Sequence, residues 1–237
     1  GAMLCCGLLR LGFWRLGRAG EKAALEARWQ ARSELPAVSP HVIFESEGNS
    51  ETDQWVDRAV RWEGRFKTQD YLLLDNRIYR GQVGYHLIAL AESQGLLVPV
   101  NLGWLAGDPS RRTLPTPVLP SDLMVIEGKV YVPAGSPIVM QKPLPPQSLP
   151  AVVQTLYWDD WSESLSAITQ QAVLPYEVRI EPGSPAALEA EWPLVNQSPS
   201  KHIGYAVQWF AMAAVLCVIG VARMTNLPAL LKGSRGI

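Results

Sequence analysis

The sequence predicts an α+β membrane protein, with a β-rich extracytoplasmic domain flanked by two transmembrane helices. Three observations predict it. Ile203 to Ala222 contains no charged residue, and about 20 apolar residues are what an α-helix needs to cross the hydrocarbon core. A second apolar run, Met3 to Trp14, is interrupted by Arg10 alone. Between them lie short apolar segments of alternating pattern, separated by Pro- and Gly-containing turns.

Composition narrows the function classes. The 237 residues suffice for one sizeable domain plus membrane elements. The formal net charge is −1 with no basic block, which speaks against a nucleic-acid partner. Cys5, Cys6 and Cys217 all lie in the apolar end segments, so the middle has no disulfide framework. Cys5-Cys6 lacks the second cysteine pair that a thiolate zinc site needs. Trp14, Trp192 and Trp209 stand near the apolar segments, where amphipathic rings meet a membrane interface.

The expected organisation is residues 1–17 as the first membrane helix, 18–39 as a charged helix and connector, 40–198 as the β-rich domain, 199–223 as the second membrane helix and 224–237 as a cytoplasmic tail. Met3–Trp14 is too short to span alone. It reads as the C-terminal part of a truncated transmembrane helix, a signal-peptide core or an interfacial helix. From Leu16 to Glu34, Arg18, Glu21, Lys22, Glu26 and Arg28 interleave with Leu25 and Trp29. Glu21 and Leu25, like Lys22 and Glu26, are one helical turn apart, and Pro36 ends the segment.

Strands are expected at Tyr71–Leu74, running into an Asp75-Asn76 turn, at Gly84–Ala89, and at Leu96–Asn101 after Gly95. Met124–Val132 reads as two short strands around a Glu127-Gly128 turn, and Tyr176–Ile180 alternates as a fifth segment. Proline-rich loops occupy 109–120 and 133–150. One helix is expected near Trp161–Gln171, capped by Asp160 or Ser162. Beyond the long span, Arg223, Lys232 and Arg235 meet no acid, whereas Glu181, Glu189 and Glu191 precede it with Lys201. The positive-inside rule therefore places the C-terminus in the cytoplasm and the β domain outside. Arg18, Arg28 and Arg32 oppose that orientation slightly.

No nucleophile elbow, metalloprotease helix motif or phosphate loop is present. Asp159-Asp160 and the pair Glu45 and Glu47 read as solvated turns or caps. His41 and His86 read as isolated imidazoles satisfied by backbone, with His86 alternatively facing a partner. His202 has different company. Tyr205 at i+3, Trp209 at i+7 and Leu216 at i+14 form one stripe with it on a helix. Such a stripe suits a porphyrin, with imidazole on the iron and aromatic surface against the ring. It equally suits an interfacial histidine within an aromatic belt. Met212 is about 80° off that face. Gln208 is a candidate for an interhelical hydrogen bond. The two apolar helices are expected to pack through Gly7 and Gly12 on one and Gly204, Ala211 and Ala214 on the other.

Several pieces taken together resemble the Surfeit locus protein 1 family. They are Gly12-Phe13-Trp14-Arg15-Leu16-Gly17-Arg18 followed by Lys22, then Leu74-Asp75-Asn76-Arg77, Gly84-Tyr85-His86 and Val100-Asn101-Leu102-Gly103-Trp104. Leu174-Pro175-Tyr176 and Ser198 through Phe210 complete the set. They occur in family order along nearly the whole chain. The resemblance implies a non-enzymatic assembly factor of cytochrome c oxidase, multi-pass in the bacterial inner membrane, with its soluble domain in the periplasm. It implies heme a as cofactor, held for insertion into subunit I of a heme-copper oxidase, with the heme a synthesis enzyme as a second partner. It matches the family's heme histidine to His202 and its neighbouring tryptophan to Trp209, and Tyr205 lies on the same stripe. The alternative is a heme-independent scaffold that stabilises the oxidase subunit through the β domain. The family commonly carries arginine where this chain has Leu102; either Arg77 takes over a charge contact there, or the loop serves folding only.

Overall fold

A computed structural model describes residues 2–46, 54–133, 143–192 and 199–224. The elements are α1 (Ala2–Ser33), α2 (Pro40–Glu45), β1 (Ala59–Tyr79), β2 (Gln82–Ser93), β3 (Leu96–Ala106), β4 (Met124–Tyr131), β5 (Ala151–Val153), α3 (Trp158–Thr169), β6 (Ala172–Val173), β7 (Glu177–Ile180) and α4 (Pro199–Met224). They divide into two compact units, residues 31–192 and residues 1–30 with 193–237.

The unit of 31–192 is a small closed barrel. Its strands follow the order β2-β1-β4-β7-β3, and β3 pairs back onto β2. Closure leaves this ring without the unpaired edges of an open sheet. β1 is long enough to change partners: Ala59–Gly64 pairs with β4, Leu72–Leu74 with β5, and much of the strand with β2. Val60, Trp62, Leu73, Leu87, Val98, Val100, Ile126, Val178 and Ile180 fill the interior. The opposite faces of β1, β2 and β3 are apolar too. Leu72, Leu74, Ile88, Leu90 and Leu97 pack under Trp158, Trp161 and Leu165 of α3. Burial on both faces explains why Tyr71–Leu74 reads as a continuous apolar run instead of an alternating one.

The two tight hairpins follow from local chemistry. Arg80 and Gly81 both have positive φ between Tyr79 and its partner Gln82, and Gln94-Gly95 does the same between Ser93 and Leu96. Two-residue loops of this hand match the twist of the flanking strands. Asp75-Asn76 is not a turn. It lies within β1, where Asn76 has φ 61° and the register with β2 shifts between Leu74 and Arg77, so the pair makes a bulge. Glu127-Gly128 is not a turn either, because β4 runs through it without a break. A Cβ on Gly128 would run into the Arg179 carbonyl oxygen, so glycine there permits close approach of β7. Helix α3 starts earlier than expected, at Trp158. Its N-cap is Tyr157 with no side-chain cap, and Asp159 and Asp160 occupy the first turn, where their charge favours the helix N-terminus. Part of the second proline-rich loop, and Glu47, lie outside the described residues.

The other unit pairs α1 with α4. Among the described residues, Ile203–Arg223 is the one helical segment long and apolar enough to cross a membrane. Gly12 meets the Phe210 ring, at 2.6 Å from where its Cβ would be, and Phe13 sets its ring edge-on to Phe210 at 5.2 Å. Cys5 and Cys217 bring their sulfurs to 3.2 Å. Of the small residues expected at the seam, Gly12 is buried there against Phe210, and the others are not. Gly7 and Gly204 have open space around them, and Ala211 and Ala214 are exposed. Gly12, Ala19, Ala206 and Ala213 are the buried ones. Each pair is spaced by seven, the period at which side chains return to a helix–helix seam. Gln208 is exposed, roughly opposite the Ala206–Ala213 seam at ~100° per residue, so it makes no interhelical bond.

Candidate functional site

The stripe predicted on the long apolar helix falls at the start of α4. His202 is the fourth residue of that helix, and its side chain lies outside the described residues. One turn on, Tyr205 is 48% exposed, and Trp209 and Leu216 are half-buried. The stripe lies roughly 75° round the helix from the Ala206–Ala213 seam. This position explains the graded burial: the stripe flanks the seam and is not consumed by it. The α1–α4 pairing adds a group that the spacing did not foreshadow. The Arg15 guanidinium lies 5.1 Å from the Tyr205 ring and 4.9 Å from that of Trp14. Arg18 lies 6.0 Å from Trp14 and pairs with Glu21 at 2.8 Å.

A second constellation is built on the barrel. Cross-strand register sets His86 opposite Trp104, Arg77 opposite Gly84, and Asn101 opposite Arg179. The resemblance-bearing pieces of β1, β2 and β3 therefore lie side by side. Asn101 is buried and its amide joins three partners. Its Nδ2 donates to Glu177 Oε1 at 2.8 Å and lies 3.4 Å from His86 Nδ1, and its Oδ1 accepts from the Gly103 N–H at 3.1 Å. Arg179 Nε is 3.6 Å from the same Glu177 oxygen. Its guanidinium stacks on Tyr131 at 3.3 Å, with Trp192 at 5.0 Å. Trp192 meets His86 edge-on at 5.7 Å and donates to the Ile180 carbonyl. The segment leading to Trp192 is strapped to β3: Leu188 N–H donates to Leu102 O, and Trp104 N–H donates to Glu189 O. Tyr79 donates to Glu189 and Glu191, and the bond to Glu189 is the main reason its pKa is pushed up to about 12.

Burial pushes the Glu177 carboxyl up, against the pull of Arg179, Asn101 and Arg77. Burial, then Arg77 and Arg179, lower His86 from 6.5 to about 4. The two groups oppose each other with pH. His86 contributes stability present above 6.5 and lost as pH falls toward about 4, because the unfolded imidazole takes its proton first. Glu177 contributes stability present below the ordinary carboxylate range and lost as pH rises through its raised value. A His86→Gln protein should therefore lose the His86 part of the acid-side decline and fall less steeply between neutrality and pH 4.5. Urea midpoints followed by tryptophan fluorescence, compared near neutrality and near pH 4.5, check this. A decline identical to that of the unsubstituted protein would refute it.

His86 thus finds a side-chain partner instead of the expected backbone one. His41 does meet backbone, with Nε2 2.7 Å from the Ser93 carbonyl oxygen. Leu102 is fully buried in the barrel core, so that position makes no charge contact. Among the described residues, no group of three or more His, Cys, Asp or Glu gathers as a metal site. The barrel cluster joins residues far apart in the chain, and its legible sign was Asn101 in an otherwise apolar strand. A family model described as SURF1 family matches residues 2–214. No curated protein matches the chain.

Proposed function

The chain belongs to the SURF1 family, whose members are cytochrome oxidase assembly factors, and from that premise we propose that it holds heme a for delivery to subunit I of a heme-copper oxidase. The observation that carries this reading is the half-exposed Tyr205 one turn beyond His202 at the start of Ile203–Arg223. An amphipathic ring fits this setting: apolar and aromatic surface flanks the seam, and a cation stands at the same level of the helix pair. His202 would ligate the iron as a neutral imidazole, and Tyr205 and Trp209 would cover the ring. Bound heme supplies the redox centre of the recipient oxidase. This chain contributes ligation, shielding and orientation, without an enzymatic step of its own. In this reading the protein sits in the bacterial inner membrane with its barrel in the periplasm, and receives heme a from the synthesis enzyme.

The test is the heme-to-protein ratio after detergent purification from cells that also make heme a. His202→Ala should remove most of the bound heme and its absorbance, with His41→Ala unchanged. Trp209→Ala should reduce retention about five-fold, the equivalent of one aromatic contact. Ile78 and Val83, opposed on the β1–β2 hairpin and 69% and 47% exposed, favour the scaffold reading as a second choice. An unchanged ratio in His202→Ala would decide for it.

A further inference from the structure

We propose that Cys5 and Cys217 form a redox-active dithiol whose disulfide links α1 to α4, with a lipid-soluble quinone as its oxidant. Both cysteines are free, and their sulfurs lie 3.2 Å apart although the residues are 212 positions apart in the chain. A disulfide bond is about 2.05 Å long, so the pair has roughly 1.2 Å left to close. Helix pairing brings the two together. Contacts descend along α4 as they rise along α1: Cys5 Sγ lies 3.9 Å from the Ala213 carbonyl oxygen, Gly12 meets Phe210, and Arg15 meets Tyr205. The helices are therefore antiparallel. Cys5 precedes Gly12 by seven residues, as Gly12 precedes Ala19, which puts its thiol on the buried row of α1. It is half-buried there, whereas Cys6, about 100° round the helix, is exposed. On α4, Cys217 follows the buried Ala213 by one turn.

The surroundings select the oxidant. Cys217 is about 21 Å along the helix from Ile203, at 1.5 Å per residue. The pair therefore lies within the apolar segment, with Cys217 exposed on its surface. A thiolate is costly in hydrocarbon, and so is a charged, water-soluble disulfide. The oxidant for this place is neutral and apolar, and accepts protons together with electrons. A quinone meets those terms. Both S–H bonds break and one S–S bond forms. The two protons and two electrons pass to the quinone, which leaves as the quinol. The new bond ties α1 to α4 across the whole barrel domain. It fixes the register that sets Phe13 against Phe210 and Arg15 against Tyr205. In the dithiol form, noncovalent contacts alone hold that register.

The probe is decylubiquinone, added to full-length protein reconstituted without heme in phosphatidylcholine vesicles, so the outcome is independent of the heme reading. Free thiols are counted by maleimide labelling after denaturation, and the bridge is located by peptide mass mapping. The unsubstituted protein should fall from three free thiols to one, lose the mass of two hydrogens and yield one quinol per chain. Oxidised glutathione at the same concentration should leave all three thiols free. Cys6→Ser should close the same bridge and retain no free thiol. Cys5→Ser and Cys217→Ser should each keep both of their remaining thiols, which separates this pair from Cys6. Three thiols surviving quinone treatment of the unsubstituted protein would overturn the proposal. A bridge between chains, a bridge to Cys6, or equal closure by oxidised glutathione would overturn it too.

Discussion

Replacing Gly103 with alanine should destabilise the barrel by about 3–5 kcal/mol, the sum of backbone strain and steric overlap. Gly103 has φ 110°, a conformation that a side chain disfavours. Its added Cβ would stand 2.7 Å from the Glu189 carbonyl oxygen and 2.9 Å from the Ala190 nitrogen. Those are backbone atoms, so no rotamer change relieves the overlap. The strap around Glu189 has to lift, breaking its bonds to Leu102 and Trp104 and loosening Trp192 over His86 and Arg179. For a unit of this size the corresponding fall in Tm is roughly 6–20 °C. Thermal unfolding of the purified protein followed by circular dichroism measures it. A Tm within about 2 °C of the unsubstituted protein would contradict the account.

Asn101→Ala should be of similar size for a different reason. The substitution takes from the buried Glu177 carboxyl its 2.8 Å amide donor, leaving Arg179 at 3.6 Å, and removes the acceptor of the Gly103 N–H. Breaking one member of a buried charged network costs about 3–5 kcal/mol, because the remaining groups stay desolvated. The double substitution Asn101→Ala with Glu177→Leu should recover part of the loss, since it removes the orphaned buried polar group along with its partner. Denaturant midpoints of the single and double variants decide the point. A double variant no more stable than Asn101→Ala would remove the network explanation.

The sequence made the architecture legible where one residue pattern had one cause. The charge-free run to Ala222, the apolar segments of β1, β2 and β3, and the alternation of β7 each announced their element. It misled where a glycine or asparagine had two structural uses. Gly128 looks like a turn residue, but its partner is a carbonyl on β7, about fifty positions away. Asn76 looks like a turn residue and serves a bulge. Six-residue α2 is too short to show a helical period. The same distinction governs the sites. The spacing of Tyr205 and Trp209 from His202 is local arithmetic on one helix. The meeting of Arg15 with Tyr205, and of Asn101 with Glu177, depends on pairings across the fold that spacing does not encode.

The pairing of α1 with α4 also dictates an order of events in biosynthesis. Roughly 165 residues separate the two helices in the chain, and translation at about 5–20 residues per second takes some 8–33 seconds to cross them. Small barrels close in milliseconds to seconds. Once β7 has emerged, the barrel is ready to close before α4 is complete. The nascent α1 meanwhile waits, with the Gly12 and Ala19 face without its partner helix. The helix pair is therefore the last structure to form, and with it the meeting of Arg15 with Tyr205. A chain stopped before α4 has a finished barrel and an α1 without its partner helix.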